Sequence, residues 1–418
     1  MRATLRSISP VLLGVLFLIA GNGIQVTLIP LRAAAESWSP FVIGSIGSAY
    51  FVGFVFGCLT APYAILRVGH IRSYAALTSL AAATTLAQAL FVAVMPWIVF
   101  RIIIGVCLAG LYMVIESWLN DQATNTNRGT VMSIYVLINY VALTLGQFMV
   151  TLASPSSFTL FAITALIISL ATIPVALTKA AQPSPITLVR FRLKELYHTT
   201  PVGMVGVTMV GVVHGAFWSL GALYAIRTGL SPTSAAVFVG LATMGGALMQ
   251  WPVGRLSDRV DRRIVLIGLL VASAVIGVSL AFLPLAQTHW TWLALLFGAT
   301  TFPTYSIAAA HAYDHAEPGA YVETAAAVLL ANGVGSIIGP LIASAWMEGT
   351  RPGSLFLFTA LAQVALILFV VSRVWLRPAM KTAEKTEFDY AATAPLGAVV
   401  SPEALDTDDV NVAVPRED

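Results

Sequence analysis

Charge is what this chain has least of. Of its 418 residues, 10% are charged and 58% are apolar, whereas a water-soluble globule carries about 25% charged residues. Most of its surface must therefore face something other than water. Cysteine is nearly absent. Cys58 and Cys107 are the only two, both inside apolar runs, which argues against a disulfide framework and leaves them as small packing residues. No glycine-rich loop ending in lysine is there to cradle a nucleotide phosphate, so ATP does not drive the chain directly. No His-Glu-x-x-His pair or Cys/His cluster has zinc spacing. The gaps between apolar runs are too short for a soluble catalytic domain. Nothing in the sequence points to an enzyme, and no metal or cofactor is expected.

Long apolar runs dominate what is present. Twelve of about 20 residues each match the ~30 Å hydrocarbon thickness of a bilayer at 1.5 Å per helical residue. In the first half they fall near Pro10–Leu31, Phe41–Leu66, Tyr74–Val94, Trp97–Trp118, Thr130–Leu152 and Phe158–Leu177. In the second they fall near Val202–Ala225, Thr233–Val253, Ile264–Leu283, Trp290–Ala310, Val322–Ala343 and Leu355–Trp375. None alternates as a barrel strand would, so the expected fold is an all-α integral membrane protein.

The two halves repeat. Sliding the chain by 192–193 residues superposes Ser39-Pro40 on Ser231-Pro232, Asn22 on His214, Arg67 on Arg259 and Gly105 on Gly298. The same shift puts Asp121 on Asp314, Asn139 on Asn332 and Gly146 on Gly339. A duplicated six-helix unit with a pseudo-two-fold axis is the architecture of secondary transporters, whose site lies between the halves near the midplane.

The net charge of +3 does not point to nucleic acid, because topology decides where the charges sit. Only Arg32, Arg101, Arg227 and Arg351 fall at or near the side opposite the termini, leaving the other 18 of 22 basic residues on the side of the termini. The positive-inside rule then places both termini in the cytoplasm, with the chain in the inner (plasma) membrane. Residues 1–178 are expected to form one bundle and residues 201–376 the second. Lys179–Thr200 reads as a basic cytoplasmic linker with a short amphipathic helix from Leu188 to Tyr197 on the membrane surface. Residues 377–418, rich in Ala, Pro, Thr, Asp and Glu, read as a disordered cytoplasmic tail. Arg2, Arg6 and the apolar run after them mimic a secretory signal, but removing it would break the repeat, so it reads as a retained first helix.

The most specific local pattern is Gly254-Arg255-Leu256-Ser257-Asp258-Arg259-Val260-Asp261-Arg262-Arg263. It resembles the loop signature of the major facilitator superfamily, with Asp261 where a second glycine is usual. Together with the twelve runs and the repeat, the resemblance covers residues 1–376. It implies a network that latches the two bundles: Asp258 capping the start of the fifth helix near Arg128-Gly129, Arg259 paired with Asp314, and Arg262 among the arginines tying the carboxylates together. The first-half counterpart is degraded. Pro62 and Leu66 replace the glycine and aspartate, while Arg67 remains with Asp121 as its partner. A bare set of topology-fixing charges would read the same way.

Within the apolar runs, polar groups mark the candidate site. Arg101-x-x-x-Gly105 resembles the family's fourth-helix signature, and an intramembrane arginine should face the bundle interior or a water-filled cavity. At 100° per residue Tyr112 and Glu116 share its face. Arg101 would bind an anionic group or pair with a carboxylate; snorkelling to the headgroups is the plain alternative. Asn22 with Gln25, and His214 with Trp218, share faces of the first and seventh helices, which in the family line the path with the fourth and tenth. Tyr305 adds a flat aromatic surface on the tenth. These residues are the expected substrate contacts. Asn139 and Asn332 fit satisfied helix–helix bonds, and Gln250 is a further polar group in the eighth helix. Glu116, His214 and Asp314 are alternative carriers of a coupling proton.

The tracts Glu116-Ser-Trp-Leu-Asn-Asp121 and Pro303-Thr-Tyr305-Ser-Ile-Ala-Ala-Ala-His311 resemble a poorly characterised bacterial branch of the superfamily and some riboflavin importers. The Gly-Pro pair of drug–proton exporters is missing at Leu145-Gly146-Gln147. The expected function is alternating-access transport of a small amphipathic organic solute, proton-coupled or facilitative, with import of an aromatic vitamin such as riboflavin first. A drug or metabolite exporter, and a non-transporting sensor signalling through the tail, are the alternatives. The expected partners are the solute, protons and the lipid bilayer, with the chain a monomer.

Overall fold

A computed structural model describes residues 2–124, 127–178, 183, 193–283, 289–316 and 321–376. The expected tail and the first part of the expected linker helix, residues 188–192, lie outside the described residues. The first half comprises α1 (Arg2–Ala35), α2 (Pro40–Val68), α3 (His70–Leu90), α4 (Val94–Gln122), α5 (Arg128–Met149) and α6 (Phe158–Leu170, continued by Thr172–Ala176). The second comprises α7 (Pro201–Arg227), α8 (Pro232–Arg259), α9 (Arg262–Phe282), α10 (Trp290–Thr301 and Pro303–Asp314), α11 (Tyr321–Glu348) and α12 (Ser354–Leu376). Among the described residues there is no strand.

Among the described residues, 11 of these helices are long and apolar enough to cross a membrane by length and composition alone. The exception is α3, whose 21 residues hold many Ala, Thr and Ser. It packs against α4 and α6 and hides that polarity: Thr78 bonds Thr172, and Thr85 is fully buried. It ends at Leu90, short of the expected Val94. Elsewhere the helices turn large apolar side chains outward. Phe56, Leu166, Leu248 and Val275 are each more than half exposed, as a lipid-facing surface requires.

The internal repeat is visible atom by atom. Ser39 and Ser231 both N-cap the helix that follows, accepting the N–H of Val42 and of Ser234, with Pro40 and Pro232 at the first helical position. Gly105 lies against the carbonyl of Tyr50, and Gly298 against that of Ala242, its repeat image. Gly53 and Gly245 meet Ile102 and Leu295 in the same way. Each contact brings two helices so close that a Cβ would collide with backbone. Small residues are what allow such approach where no hydrophobic force drives helices together.

One end of the molecule differs from the other. At the far end, away from the start of α1 and the finish of α12, a single apolar core draws on both halves: Ile24, Leu28, Ile43 and Phe161 join Phe217, Phe238, Phe297 and Phe356. At the near end there are two cores. Ile8, Leu111, Trp118 and Tyr135 belong to the first half's, and Val207, Leu266, Ile307 and Val370 to the second's. Bonds between halves reach from the far end toward the middle, where Ser48 donates to the carbonyl of Ile337 at 2.8 Å. The linker helix, Leu193–Thr199, docks Leu196 into the second half's core.

Candidate functional site

Between the halves, beside the shared core, lies a cavity of about 180 Å³. Its walls come from α1, α2, α4 and α5 on one side and α7, α10 and α11 on the other. Of the expected substrate contacts, Asn22, Arg101, Tyr112, His214 and Trp218 line it. Gln25 and Tyr305 do not.

Gln25 stands behind the wall as a support. Its Nε2 donates to Thr85 Oγ1 at 2.6 Å, which orients its Oε1 to accept Arg101 Nη1 at 3.1 Å. The Arg101 guanidinium lies 4.5 Å from the centroid of the Tyr50 ring, a cation–π contact that offsets part of its desolvation. Arg101 is 5% exposed and does not snorkel. On the same wall Tyr112 meets Phe54 edge-on, ring centroids 6.3 Å apart.

The opposite wall is aromatic. Trp218 stacks on Phe302 with centroids 4.8 Å apart and planes 4° from parallel. The His214 ring meets Phe302 edge-on at 5.2 Å. Its Nε2 lies 3.1 Å from the carbonyl oxygen of Thr301; a carbonyl only accepts, so this partner assigns the proton to Nε2. Phe302 keeps helical backbone angles, and its N–H bonds the carbonyl of Gly298 at 3.0 Å. Pro303 follows it and has no N–H to return to the carbonyl of Ala299, so α10 lacks one backbone bond at this point. Tyr305 faces elsewhere. Its ring lies in the second half's own core, 3% exposed, so Phe302 supplies the aromatic surface expected of Tyr305.

Asn139 and Asn332, repeat images expected to be packing bonds, both reach the cavity as well. Asn332 Nδ2 does bond α7, donating to Val207 O at 3.0 Å. Asn139 Nδ2 instead donates to Tyr135 O in its own helix at 2.8 Å, and its Oδ1 is buried with no partner among the described residues. Asn22 Oδ1 is likewise buried and unpartnered. Gln250 makes a packing bond to Ser306. Tyr50, Phe54, Tyr140, Phe302, Ser219 and Ser336 are wall residues that sequence reasoning missed. A helix apolar all round gives no periodic sign of which face looks inward.

The remaining candidates lie nearer the termini. Glu116, 1% exposed, accepts the Tyr135 hydroxyl at 3.1 Å and is not part of the cavity wall. Asp314 is engaged in a buried ion pair with Arg262 at 2.7 Å, where Arg259 was the expected partner. Arg259 closes α8 with its side chain exposed, whereas Arg262 opens α9 and points inward, 1% exposed. Asp258 approaches Arg262 at 3.6 Å. Asp261, which replaces the family's glycine, N-caps α9: its Oδ1 accepts the backbone N–H of Arg263 at 2.9 Å and its Oδ2 the guanidinium at 2.7 Å. Burial alone would raise that carboxyl, but the hydrogen bonds and charge of Arg263 prevail and hold it below the usual carboxylate range. Arg67 and Asp121 occupy the last turns of α2 and α4 at the same end.

Known proteins share this architecture. Residues 11–340 match the Major Facilitator Superfamily. The chain is 29% identical over 371 residues to the uncharacterised MFS-type transporter YcaD of Escherichia coli O7:K1 (strain IAI39), covering 88% of this chain and 95% of that one. Among solved structures it resembles the nucleoside transporter NupG with a TM-score of 0.73, at 15% identity over 89% of this chain and 99% of that one. A bacterial homologue of the human lysosomal transporter Spinster, inward-facing and occupied, gives 0.70 at 16% identity, covering 90% and 99%. At these identities the solved structures speak for the fold alone. With a duplicated twelve-helix bundle, a cavity between its halves and a family match over most of its length, this chain belongs to the major facilitator superfamily of membrane transporters.

Proposed function

We propose that the central cavity is the transport site and that the chain carries a small amphipathic organic solute with a flat ring, by rocking of its halves. The observation that carries this reading is the pairing of walls: a cation and amides on one half, stacked Trp218 and Phe302 on the other. A solute bridging them senses the separation of the halves, which is the condition for coupling binding to conformation. The bias of basic residues supports termini in the cytoplasm of a bacterial inner membrane. Import is the favoured direction, and riboflavin, whose ring system and imide suit aromatic and amide walls, is the first solute to try. Glu116 and His214 are the groups proposed to carry a coupling proton. Asp314 is less suited, since Arg262 holds it in a buried pair.

The test is uptake of labelled riboflavin, nucleosides, sugars and amino acids into right-side-out vesicles, with and without a protonophore. Saturable uptake of one solute, abolished by Trp218→Ala, is the expected result. Accumulation lost to the protonophore assigns proton coupling. Transport seen only in inverted vesicles would replace import by export.

A further inference from the structure

The cavity holds one permanent charge and nothing to balance it. Of the residues that line it, Arg101 alone is a permanent cation, and none is a carboxylate. The guanidinium has a neutral amide, Gln25, and an aromatic face, Tyr50, as neighbours. Among the described residues its Nε is buried without a hydrogen-bond partner. A buried cation whose neighbours are all neutral is costly. Here it is also firmly placed, because Thr85 fixes Gln25 and Gln25 fixes Nη1. Such preorganisation destabilises the empty state and strengthens the binding of an anion.

We propose that the solute is an aromatic monocarboxylate, its carboxylate paired with Arg101 and its ring on the Trp218–Phe302 wall. A single guanidinium balances one negative charge, which favours a carboxylate over a phosphomonoester dianion. The cavity, at about 180 Å³, is too large for a bare inorganic anion and is walled mostly by apolar side chains. The hydroxyls of Ser219 and Ser336 in the wall suit a polar ring substituent such as a hydroxyl. The inference rests on the cavity being the transport site. It narrows the solute from aromatic to aromatic and anionic, and makes neutral riboflavin the comparison ligand.

The experiment is equilibrium binding to the purified full-length chain of matched acid and amide pairs. The probes are 4-hydroxybenzoate with 4-hydroxybenzamide and 6-hydroxy-2-naphthoate with its carboxamide, with riboflavin alongside. The acid should bind at least about tenfold tighter than its amide. That preference should vanish in Arg101→Gln and persist, reduced, in Arg101→Lys. Should Arg101→Gln not fold, the wild type gives the same answer by pH. Affinity for the acid should fall as its carboxyl protonates near pH ~4 while that for the amide stays flat. Equal affinities, a preference that survives Arg101→Gln, or no binding of either acid overturns the proposal. Binding of an amide or riboflavin that Trp218→Ala removes, without any preference for the acids, would keep the cavity as the site while sinking the anion. Binding indifferent to Trp218→Ala would sink the cavity itself.

Discussion

Glu348, in the last turn of α11, accepts the backbone N–H of Phe41, in the first turn of α2, at 3.0 Å. The same carboxylate oxygen accepts the hydroxyl of Ser39, which caps that helix. An acid of one half thus sits on the positive end of a helix of the other, across the far end. Such placements contribute about 0.3–1 kcal/mol each. Glu348→Ala should therefore shift the resting equilibrium toward the opposite-facing state by roughly two- to fivefold. The check is the labelling rate, from the far side, of a single cysteine at Ser219 in a background with Cys58 and Cys107 replaced by alanine. A rate no faster than the parent's would show that this contact does not hold the far end shut.

Asp258→Asn should act on a different quantity. Asp258 lies at the near end beside Arg262, away from the cavity. Its loss should lower turnover by about tenfold while leaving ligand affinity within about twofold, because it biases states rather than contacting solute. Flux and binding measured on the same preparation decide this. Lost affinity with normal turnover would refute the gating assignment.

His214→Ala removes the Thr301 contact and the edge of the Phe302 wall together. Binding should weaken by roughly 1–3 kcal/mol, with membrane insertion and helix content unchanged. His214→Gln, which can still donate to Thr301, should recover part of the loss. If flux and its pH dependence both survive the alanine variant, His214 is a packing residue.

Asp261 gives a pH-dependent prediction with a definite sign. Its carboxyl is held below the unfolded value, so the stabilisation is fully present above that value and is lost as pH falls through the folded one. Asp261→Ala should cost about 1 kcal/mol near neutral pH, the usual worth of an N-cap. The gap in melting temperature between variant and parent should stay constant around neutrality and narrow only on acidification below pH ~4. A gap that widens with acid would exclude the assigned pair.

Much of the architecture was legible because membrane segments must satisfy their own backbones and because duplication left matching residues at a fixed offset. Ser39 and Ser231, or Gly105 and Gly298, announce the same helix starts and the same crossings twice. Polar residues in lipid are also conspicuous, and Asn22, Arg101 and His214 all reach one cavity. What the sequence concealed is facing. Tyr50 and Phe54 lie in an apolar run with no polar side to orient it. Tyr305 went to the second half's core instead of the wall, and the corner between α8 and α9 gave Asp314 to Arg262 instead of Arg259. These are outcomes of tertiary packing a few ångströms across, below what spacing along a helix can express.

The core common to both halves sets heat resistance against speed. Phe217 and Phe297 pack there with Leu28 and Ile43, and on the proposed rocking of the halves each cycle parts those surfaces and joins others. A substitution that fills this core more tightly will raise the melting temperature and, by the same free energy, slow the carrier. Screens for hardier variants should therefore enrich for idle ones.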